Sequence, residues 1–326
     1  DGFDKGLLQS PEHAERQQGA DGQAVAVVFA LNGIHAGIVN AAVLRTCRSG
    51  ARQLGYHARM LLPHFTALGA GPLVLMLHGA AGGYRSFAPQ VERYAFEGCR
   101  AVAWDMPGYG RSAPVEPYGV RGLAQSCVAL IEALLPPQAE GAARSVVLMG
   151  HGLGGMVAQE VVMRRPDLVH RLVLCGSTSG PDSGWALDAA QQLEQLNGPH
   201  QGDMQRLADA VLPGQTGPLA LPEGVRLAQH CMAQVSPVTY RLALQAQAAF
   251  DRDAALAHIH VPTLLLTGEH DRCAPGHVIE RMAGKIQGSR WVQMPGIGHW
   301  SHLEAPDAFD ALVLDFLREP VAVGLH

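Results

Sequence analysis

The pattern that points most directly to chemistry is a glycine-rich turn at 150–155, which reads GHGLGG and follows an apolar run. A strand, a tight turn and a helical pattern in this order fit two motifs. Gly150, Gly152 and Gly155 satisfy G-x-G-x-x-G, whose backbone N–H groups hold a dinucleotide pyrophosphate. Gly150, Gly152 and Gly154 also match G-x-S-x-G, in which a serine attacks a carbonyl carbon, except that glycine replaces the serine.

The dinucleotide interpretation makes a further demand that the sequence does not meet. An acidic residue about 20 positions further on should bind the ribose hydroxyls. Residues 174–177 read LCGS there, so we expect no nucleotide cofactor. We expect no metal either, because no carboxylate spacing completes a zinc site around His258 and His260 or around His299 and His302.

The hydrolase interpretation makes separate demands, and the sequence meets them. It needs an acid after a later strand and then a histidine near the C-terminal end. Asp271 follows one late apolar run, and His299 follows the next. It also needs backbone N–H donors from an early strand-to-helix loop, and such a loop begins at His78 with HGAAGG. Four elements in the correct order are more specific than one glycine pattern.

Five turns of the chain resemble those of the α/β-hydrolase family: HGAAGG, WDMPGYGRS, GHGLGG, GEHD and PGIGH, within about residues 55–318. The resemblance implies that His299 is the general base and that Asp271 orients it. It also implies that the N–H groups of Ala80 and Leu153 form the oxyanion hole, and that no cofactor is needed.

The same resemblance suggests roles for residues beside these. His78 and Gly79 would shape the turn that holds Ala80, and we count both as candidate substrate-binding residues. Asp105 and Arg111, in WDMPGYGRS, would organise a structural loop without reacting.

Glycine at position 152 is the departure from the family pattern. It has no side chain, so no acyl-enzyme can form there, and neither Cys nor Asp stands elsewhere in the turn. Two interpretations remain: a deliberately disabled variant made to hold substrate or product, or a naturally serine-less member. The second would bind a ligand, or would use His299 and Asp271 to activate water or abstract a proton. We favour the first, because every other catalytic element is present.

The alternation of short apolar runs with helical patterns predicts a doubly wound α/β sheet. The predicted strands are 73–77, 101–104, 146–149, 172–175, 263–267 and 291–294, and the helical patterns between them include 122–135 and 156–165. Segments 45–51 and 56–62 could add antiparallel edge strands. We place an α/β-hydrolase core at 55–176 and 259–326, and an N-terminal arm with an apolar segment at 1–54.

A helical lid is predicted at 177–258, where no strand pattern occurs and segments 187–196, 204–212 and 237–250 look helical. An insertion between two strands naturally covers the edge of the sheet where ligands bind. Several lid residues could line an apolar acyl pocket or form lid core: Trp185, Met204, Met232 and Phe250. Of these, Trp185 is the candidate substrate-binding residue. We expect His302 at the surface or the pocket rim.

Composition excludes other classes of function. The 326 residues include 24 Lys and Arg against 29 Asp and Glu, and no basic cluster suggests a nucleic-acid partner. The six cysteines form no C-x-x-C pair, which favours a reducing, cytoplasmic setting.

Residues 22–44 carry no formal charge over a length that could span a bilayer. Polar interruptions make a buried or docked segment the better interpretation, ahead of an anchor or a dimer-contact flap.

The sequence as a whole predicts a hydrolase of a small-molecule carboxylic ester or lactone with a Ser-His-Asp mechanism, largely inactive because of Gly152. A non-catalytic ligand-binding protein is the rival from another class. Hydrolysis of a carbon–carbon bond is a less favoured alternative, since it would use the same triad. A homodimer is compatible with a hydrolase and with a ligand-binding protein.

Overall fold

A seven-stranded sheet forms the centre of the computed structural model, which describes residues 61–135, 145–180, 185–198, 200 and 202–320. The strands are β1 (Phe65–Leu68), β2 (Leu73–Leu77), β3 (Arg100–Trp104), β4 (Val146–His151), β5 (Val169–Cys175), β6 (Thr263–Gly268) and β7 (Arg290–Met294). Their order in the sheet is β1-β3-β2-β4-β5-β6-β7. Only β1 runs antiparallel to its neighbour; the other pairs are parallel.

Helices cover both faces of the sheet. Those of the core are α1 (Ala88–Phe96), α2 (Val120–Leu134), α3 (Leu153–Arg164), α8 (Gly276–Ala283), α9 (Ser301–Glu304) and α10 (Pro306–Arg318). Four more stand between β5 and β6: α4 (Trp185–Asn197), α5 (Met204–Val211), α6 (Pro222–Ala233) and α7 (Pro237–Ala248). The predicted α/β fold with an inserted helical lid is therefore confirmed.

The continuous apolar runs form strands because both faces of the sheet are buried. Alternate residues of β2 enter opposite core clusters, with Leu75 packed among residues of α2 and α3, and Met76 packed with Phe87 and Phe309. Every residue of β2, β4 and β6 is buried. This rigid sheet aligns the loops at the carboxyl ends of its parallel strands.

The antiparallel edge strand lies elsewhere than predicted. It is β1, which pairs Phe65 with Trp104 and Leu68 with Ala101. Residues 61–62, part of the predicted strand 56–62, are not in a strand, and 45–51 and 56–60 lie outside the described residues. A four-residue, half-exposed edge strand carries little hydrophobic pattern, which explains the error.

Helix α6 was missed by the sequence analysis. Its buried residues Gly224, Ala228, Cys231 and Met232 have helical spacing, but two of them are small and give a weak hydrophobic signal. The other lid helices match the predicted segments to within two residues at each end.

Asp310 on α10 gives the fold a testable pH dependence. Burial outweighs the opposing influence of Tyr94 and Gln90 and raises the pKa of this carboxyl to about 6. The folded state therefore holds the proton more tightly than the unfolded state, and the resulting stability is lost as pH rises from about 4 to about 6. We expect Asp310→Asn to raise the free energy of unfolding by about 2 kcal/mol at pH 7.5 but little at pH 3.5. Urea unfolding at both pH values measures this, and a difference independent of pH would contradict it.

In the part of the chain that the structure describes, no helix is both long enough and apolar enough to cross a membrane. The uncharged segment 22–44 lies outside the described residues.

Candidate active site

The loops that follow four parallel strands meet at one edge of the sheet. They bring Gly79 and Ala80 (after β2), Gly152 (after β4) and His299 (after β7) to a common cavity, with Asp271 (after β6) behind the histidine. Five of the residues singled out from the sequence thus lie together. The cavity has about 320 Å³ of empty space, part of it open to solvent.

His299 and Asp271 form a buried hydrogen-bonded pair. Nδ1 of His299 lies 3.0 Å from Oδ2 and 3.2 Å from Oδ1 of Asp271. The backbone N–H groups of Cys273 and Ala274 donate to the same carboxylate at 2.9 and 2.8 Å. These donors fix the carboxylate, and the carboxylate in turn orients the imidazole with Nδ1 inward and Nε2 towards the cavity.

Gly152 faces that Nε2 atom from the turn between β4 and α3. A Cβ atom built on Gly152 would lie 3.7 Å from Nε2 of His299 and 3.7 Å from Cα of Gly79, which is ordinary van der Waals contact. The backbone has φ 52° and ψ −117°, a conformation that non-glycine residues rarely adopt. Its N–H donates to the Cys175 carbonyl and its carbonyl accepts from the Ser177 hydroxyl, so the strained turn is held on both sides.

Other glycines of this turn are required by close packing. A Cβ on Gly154 would lie 2.0 Å from the Leu77 carbonyl oxygen, because α3 starts directly against the end of β2. A Cβ on Gly150 would lie 2.4 Å from Gly154 backbone atoms. These contacts bring the first turn of α3 up to the cavity.

Gly154→Ala should therefore lower the free energy of unfolding by about 3 kcal/mol, because backbone must move to admit the methyl group. Urea unfolding measures the loss. The matched control is Gly119→Ala, where a Cβ meets nothing within 4 Å and φ is 177°. Equal losses in the two variants would show that the close approach of α3 to β2 is not what position 154 requires.

His78 supports the turn that carries Gly79 and Ala80 but does not itself line the cavity. Its Nε2 accepts the Met106 backbone N–H at 2.9 Å, and its Nδ1 donates to the Gly79 carbonyl at 2.8 Å. Burial lowers the pKa of this imidazole to about 4, so it stays neutral. The Tyr109 hydroxyl donates to the Ala80 carbonyl at 2.8 Å and holds the same turn. Gly79 and Ala80 line the cavity, whereas His78 is not among its lining residues.

In the WDMPGYGRS loop, Asp105 makes structural contacts. Asp105 is buried and its carboxylate lies 2.9 Å from Nδ1 of His64, while the Tyr84 N–H donates to it at 3.2 Å. Arg111 is exposed.

The loop that carries His299 is fixed by a buried carboxylate that the sequence analysis missed. Glu304 accepts the backbone N–H groups of Gly217, Gly298 and Trp300, each at 2.8 Å. Burial raises the pKa of Glu304 despite these three donors. The His299 N–H also donates to the Gln215 carbonyl at 2.7 Å. The lid segment and the histidine loop are therefore joined on both sides of His299, and only the fold reveals this.

Two further histidines lie near His299: His151 packs against its ring, and His302 packs against His151. His151 lies on the cavity wall, and its Nε2 donates to the His299 carbonyl at 3.1 Å. His302 is fully buried and stacks on Phe87 with ring centroids 4.6 Å apart, so the expectation that it lies at the surface or rim was wrong. The ring is buried because it packs among aromatic side chains that the fold brings together, Phe87, Trp300 and Phe309. Burial lowers the pKa of His302 to about 3, so it is neutral.

One group among the described residues has the geometry to hold a metal ion. Asp271, Cys273 and His299 offer ligand atoms within 4.8 Å of one another. The same Asp271 and His299 atoms already bind each other, so a metal ion would compete with that pair. His258 and His260 are not part of this group.

The lid wall of the cavity is polar rather than apolar. It comprises Gln192, Gln215, Tyr240, Leu244 and Gln247, opposite Gly79, Ala80, Ala81, His151, Gly152, His299 and Trp300. Met204, Met232 and Phe250 are buried in the core cluster and do not line the cavity, so lid core is the correct interpretation for them. Trp185 begins α4, and its side chain lies outside the described part of the chain.

Comparisons with known proteins agree with this architecture. The chain is 29% identical over 256 residues to a candidate carbamate hydrolase of Pseudomonas savastanoi pv. phaseolicola (76% of this chain, 94% of that protein). It is 28% identical over 263 residues to a pimeloyl-[acyl-carrier protein] methyl ester esterase of Nitrosospira multiformis (77% and 97%). A thermophilic esterase from Thermogutta terrifontis superposes with a TM-score of 0.68 at 25% identity (78% and 92%).

The family assignment rests on more than these pairwise similarities. Residues 74–312 match the sequence profile of a single family, and that range contains all the loops that meet at the cavity. Taken with the sheet order and the loops at its carboxyl edge, this match shows that the chain belongs to the alpha/beta hydrolase family.

Proposed function

We propose that the chain is the nucleophile-less form of a hydrolase that acts on small carboxylic esters or lactones. One observation carries the proposal: a Cβ at position 152 would lie 3.7 Å from Nε2 of a histidine whose Nδ1 is held by a buried carboxylate. A serine hydroxyl placed there would come within hydrogen-bond reach of Nε2. This is the arrangement of an activated nucleophile and its base.

With serine at position 152, the reaction would follow from the positions of the groups. His299 would take the hydroxyl proton as the serine oxygen attacks the carbonyl carbon, and Asp271 would stabilise the imidazolium that forms. Collapse of the tetrahedral intermediate would expel the alcohol, which receives the proton from His299. Water would then attack the acyl-enzyme while His299 takes its proton. Collapse of the second tetrahedral intermediate would release the acid and return the proton to the serine oxygen.

The developing oxyanion has two suitable donors in the proposal. Leu153 is the first residue of α3, so its N–H lies at a helix N-terminus where no intrahelical acceptor exists. Ala80 lies on the facing turn, and its N–H belongs to the peptide whose Gly79 carbonyl accepts from His78 Nδ1 and from the Gly82 N–H, so this peptide cannot rotate freely. Preorganised backbone donors of this kind supply about 3–4 kcal/mol each to acyl transfer.

The chain as it stands lacks the attacking atom. It should bind an ester or lactone at this cavity and release nearly all of it without hydrolysis. An intact pair of base and acid without a nucleophile leaves only residual catalysis. The names of the ester-hydrolysing relatives support the choice of substrate class, and a lactone is the cyclic form of the same bond.

Covalent labelling tests the proposal. In Gly152→Ser, the new oxygen should attack a p-nitrophenyl alkylphosphonate, form an O–P bond and expel p-nitrophenolate. Intact mass measurement should find one adduct per chain in Gly152→Ser and none in the unaltered chain. Adding His299→Ala to Gly152→Ser should abolish labelling. Stoichiometric labelling of the unaltered chain, or none in a folded Gly152→Ser, would overturn the proposal.

A further inference from the structure

The cavity wall opposite Gly152 is built from amide side chains. Gln192 on α4, Gln215 in the segment before α6 and Gln247 on α7 all line it, together with Tyr240. All four are at most 9% exposed. Glutamine is seldom buried in proteins, so three buried glutamines at one cavity need an explanation.

Gln247 is the most deeply buried of the three glutamines. It is 2% exposed, and its Oε1 atom finds no hydrogen-bond partner among the described residues. A buried amide without a partner is costly, and native structures satisfy nearly all such groups. That oxygen is fully enclosed by protein, so the amide N–H groups are what Gln247 can offer to a ligand in the cavity.

Two other amides are held in place for recognition. The Trp300 indole N–H donates to Oε1 of Gln215 at 3.2 Å, so the amide nitrogen is what Gln215 can offer a ligand. The Tyr240 hydroxyl donates to Oε1 of Gln192 and fixes that side chain. The wall therefore presents amide N–H donors at Gln247 and Gln215, which a carbonyl or hydroxyl oxygen of a ligand can accept.

The cavity carries no counter-charge for an ionic ligand. No Asp, Glu, Lys or Arg is among its lining residues in the described part of the chain. Burial lowers the pKa of the lining residue His151, which keeps that ring neutral. A carboxylate or ammonium group would lose its hydration here without gaining a paired charge.

We propose that this cavity selects a neutral ester or lactone whose acyl part carries an amide or hydroxyl group, recognised by Gln247 and Gln215. This inference rests on the proposed function for the identity of the reacting bond. Alkyl acyl chains would leave the amides unsatisfied, and charged acyl chains would lack a partner, so both should bind more weakly.

Binding to the unaltered chain tests the inference without any turnover. Three methyl esters share a five-atom acyl chain and differ in polarity: methyl N-acetylglycinate (neutral amide), methyl pentanoate (apolar) and monomethyl glutarate (anionic). By titration calorimetry we expect the N-acetylglycinate to bind about tenfold more tightly than either of the others, as one or two net hydrogen bonds allow. Equal or tighter binding of the pentanoate or the glutarate, or no saturable binding of any ester, would overturn the inference.

Substitutions on helix α7 test whether Gln247 causes the preference for the N-acetylglycinate ester. Gln247→Met keeps the length of the side chain but removes the amide, and should abolish the tenfold preference. Gln245→Met is the matched control, because Gln245 is exposed on the same helix. If Gln247→Met does not fold by circular dichroism, Gln247→Asn withdraws the amide by one methylene and should also lose the preference. An unchanged preference in a folded variant at position 247 would contradict the inference. Failure of Gly152→Ser to hydrolyse esters, with this preference intact, would overturn only the proposed function.

Discussion

Gly152→Ser is expected to raise the rate of p-nitrophenyl ester hydrolysis by about four to six orders of magnitude over the unaltered chain. The reason is local: the base, its carboxylate partner and the backbone donors are already in place, and the space beside His299 Nε2 admits a side chain at ordinary contact distance. Steady-state rates on acetyl and butyryl esters measure the effect.

Gly152→Ala is the matched control for this substitution. It introduces the same Cβ at φ 52° and the same backbone strain, of about 1–3 kcal/mol, without an attacking oxygen. Its hydrolysis rate should remain that of the unaltered chain. If alanine raised the rate as much as serine, or if folded Gly152→Ser stayed inactive, the nucleophile would not belong at this turn.

The second large effect is expected at the His299–Asp271 pair in the Gly152→Ser background. His299→Ala should lower kcat nearly to the rate of the unaltered chain, since the members of such a triad act as a unit. Asp271→Asn should lower kcat by about 10⁴-fold, because the amide would favour the wrong imidazole tautomer.

His277→Ala serves as the control for histidine loss, because His277 is exposed on α8. Its kcat should match that of Gly152→Ser alone. KM should change little in the His299 and Asp271 variants, since neither side chain is needed to hold the ester in the ground state. Substantial kcat without His299 would require another base.

The order of the sheet loops could be predicted from the sequence because each loop follows a short, mostly apolar run. Run 146–149 is apolar throughout and run 263–267 has three consecutive leucines, because both faces of a parallel strand are buried. Chain order then placed Asp271 and His299 at one edge of the sheet. Their mutual distance followed from the fold, although no local pattern encodes it.

Features that depend on distant partners could not be predicted in this way. Glu304 accepts N–H groups from Gly217 in the lid and from the histidine loop, a pairing across 87 positions. Gln192 and Gln247 look like ordinary surface residues in sequence, since the helices that carry them, α4 and α7, are amphipathic only in part. His302 is buried by stacking on Phe87, which is far away in the chain.

A pre-steady-state burst of p-nitrophenol distinguishes a site that lacks only its nucleophile from one that cannot form an acyl-enzyme at all. We expect a burst of one equivalent per chain from Gly152→Ser, as the acyl-enzyme accumulates, and no burst from the unaltered chain or from Gly152→Ala. A burst from the unaltered chain, or equal rates without a burst from a folded Gly152→Ser, would contradict the claim that this site lacks only its nucleophile.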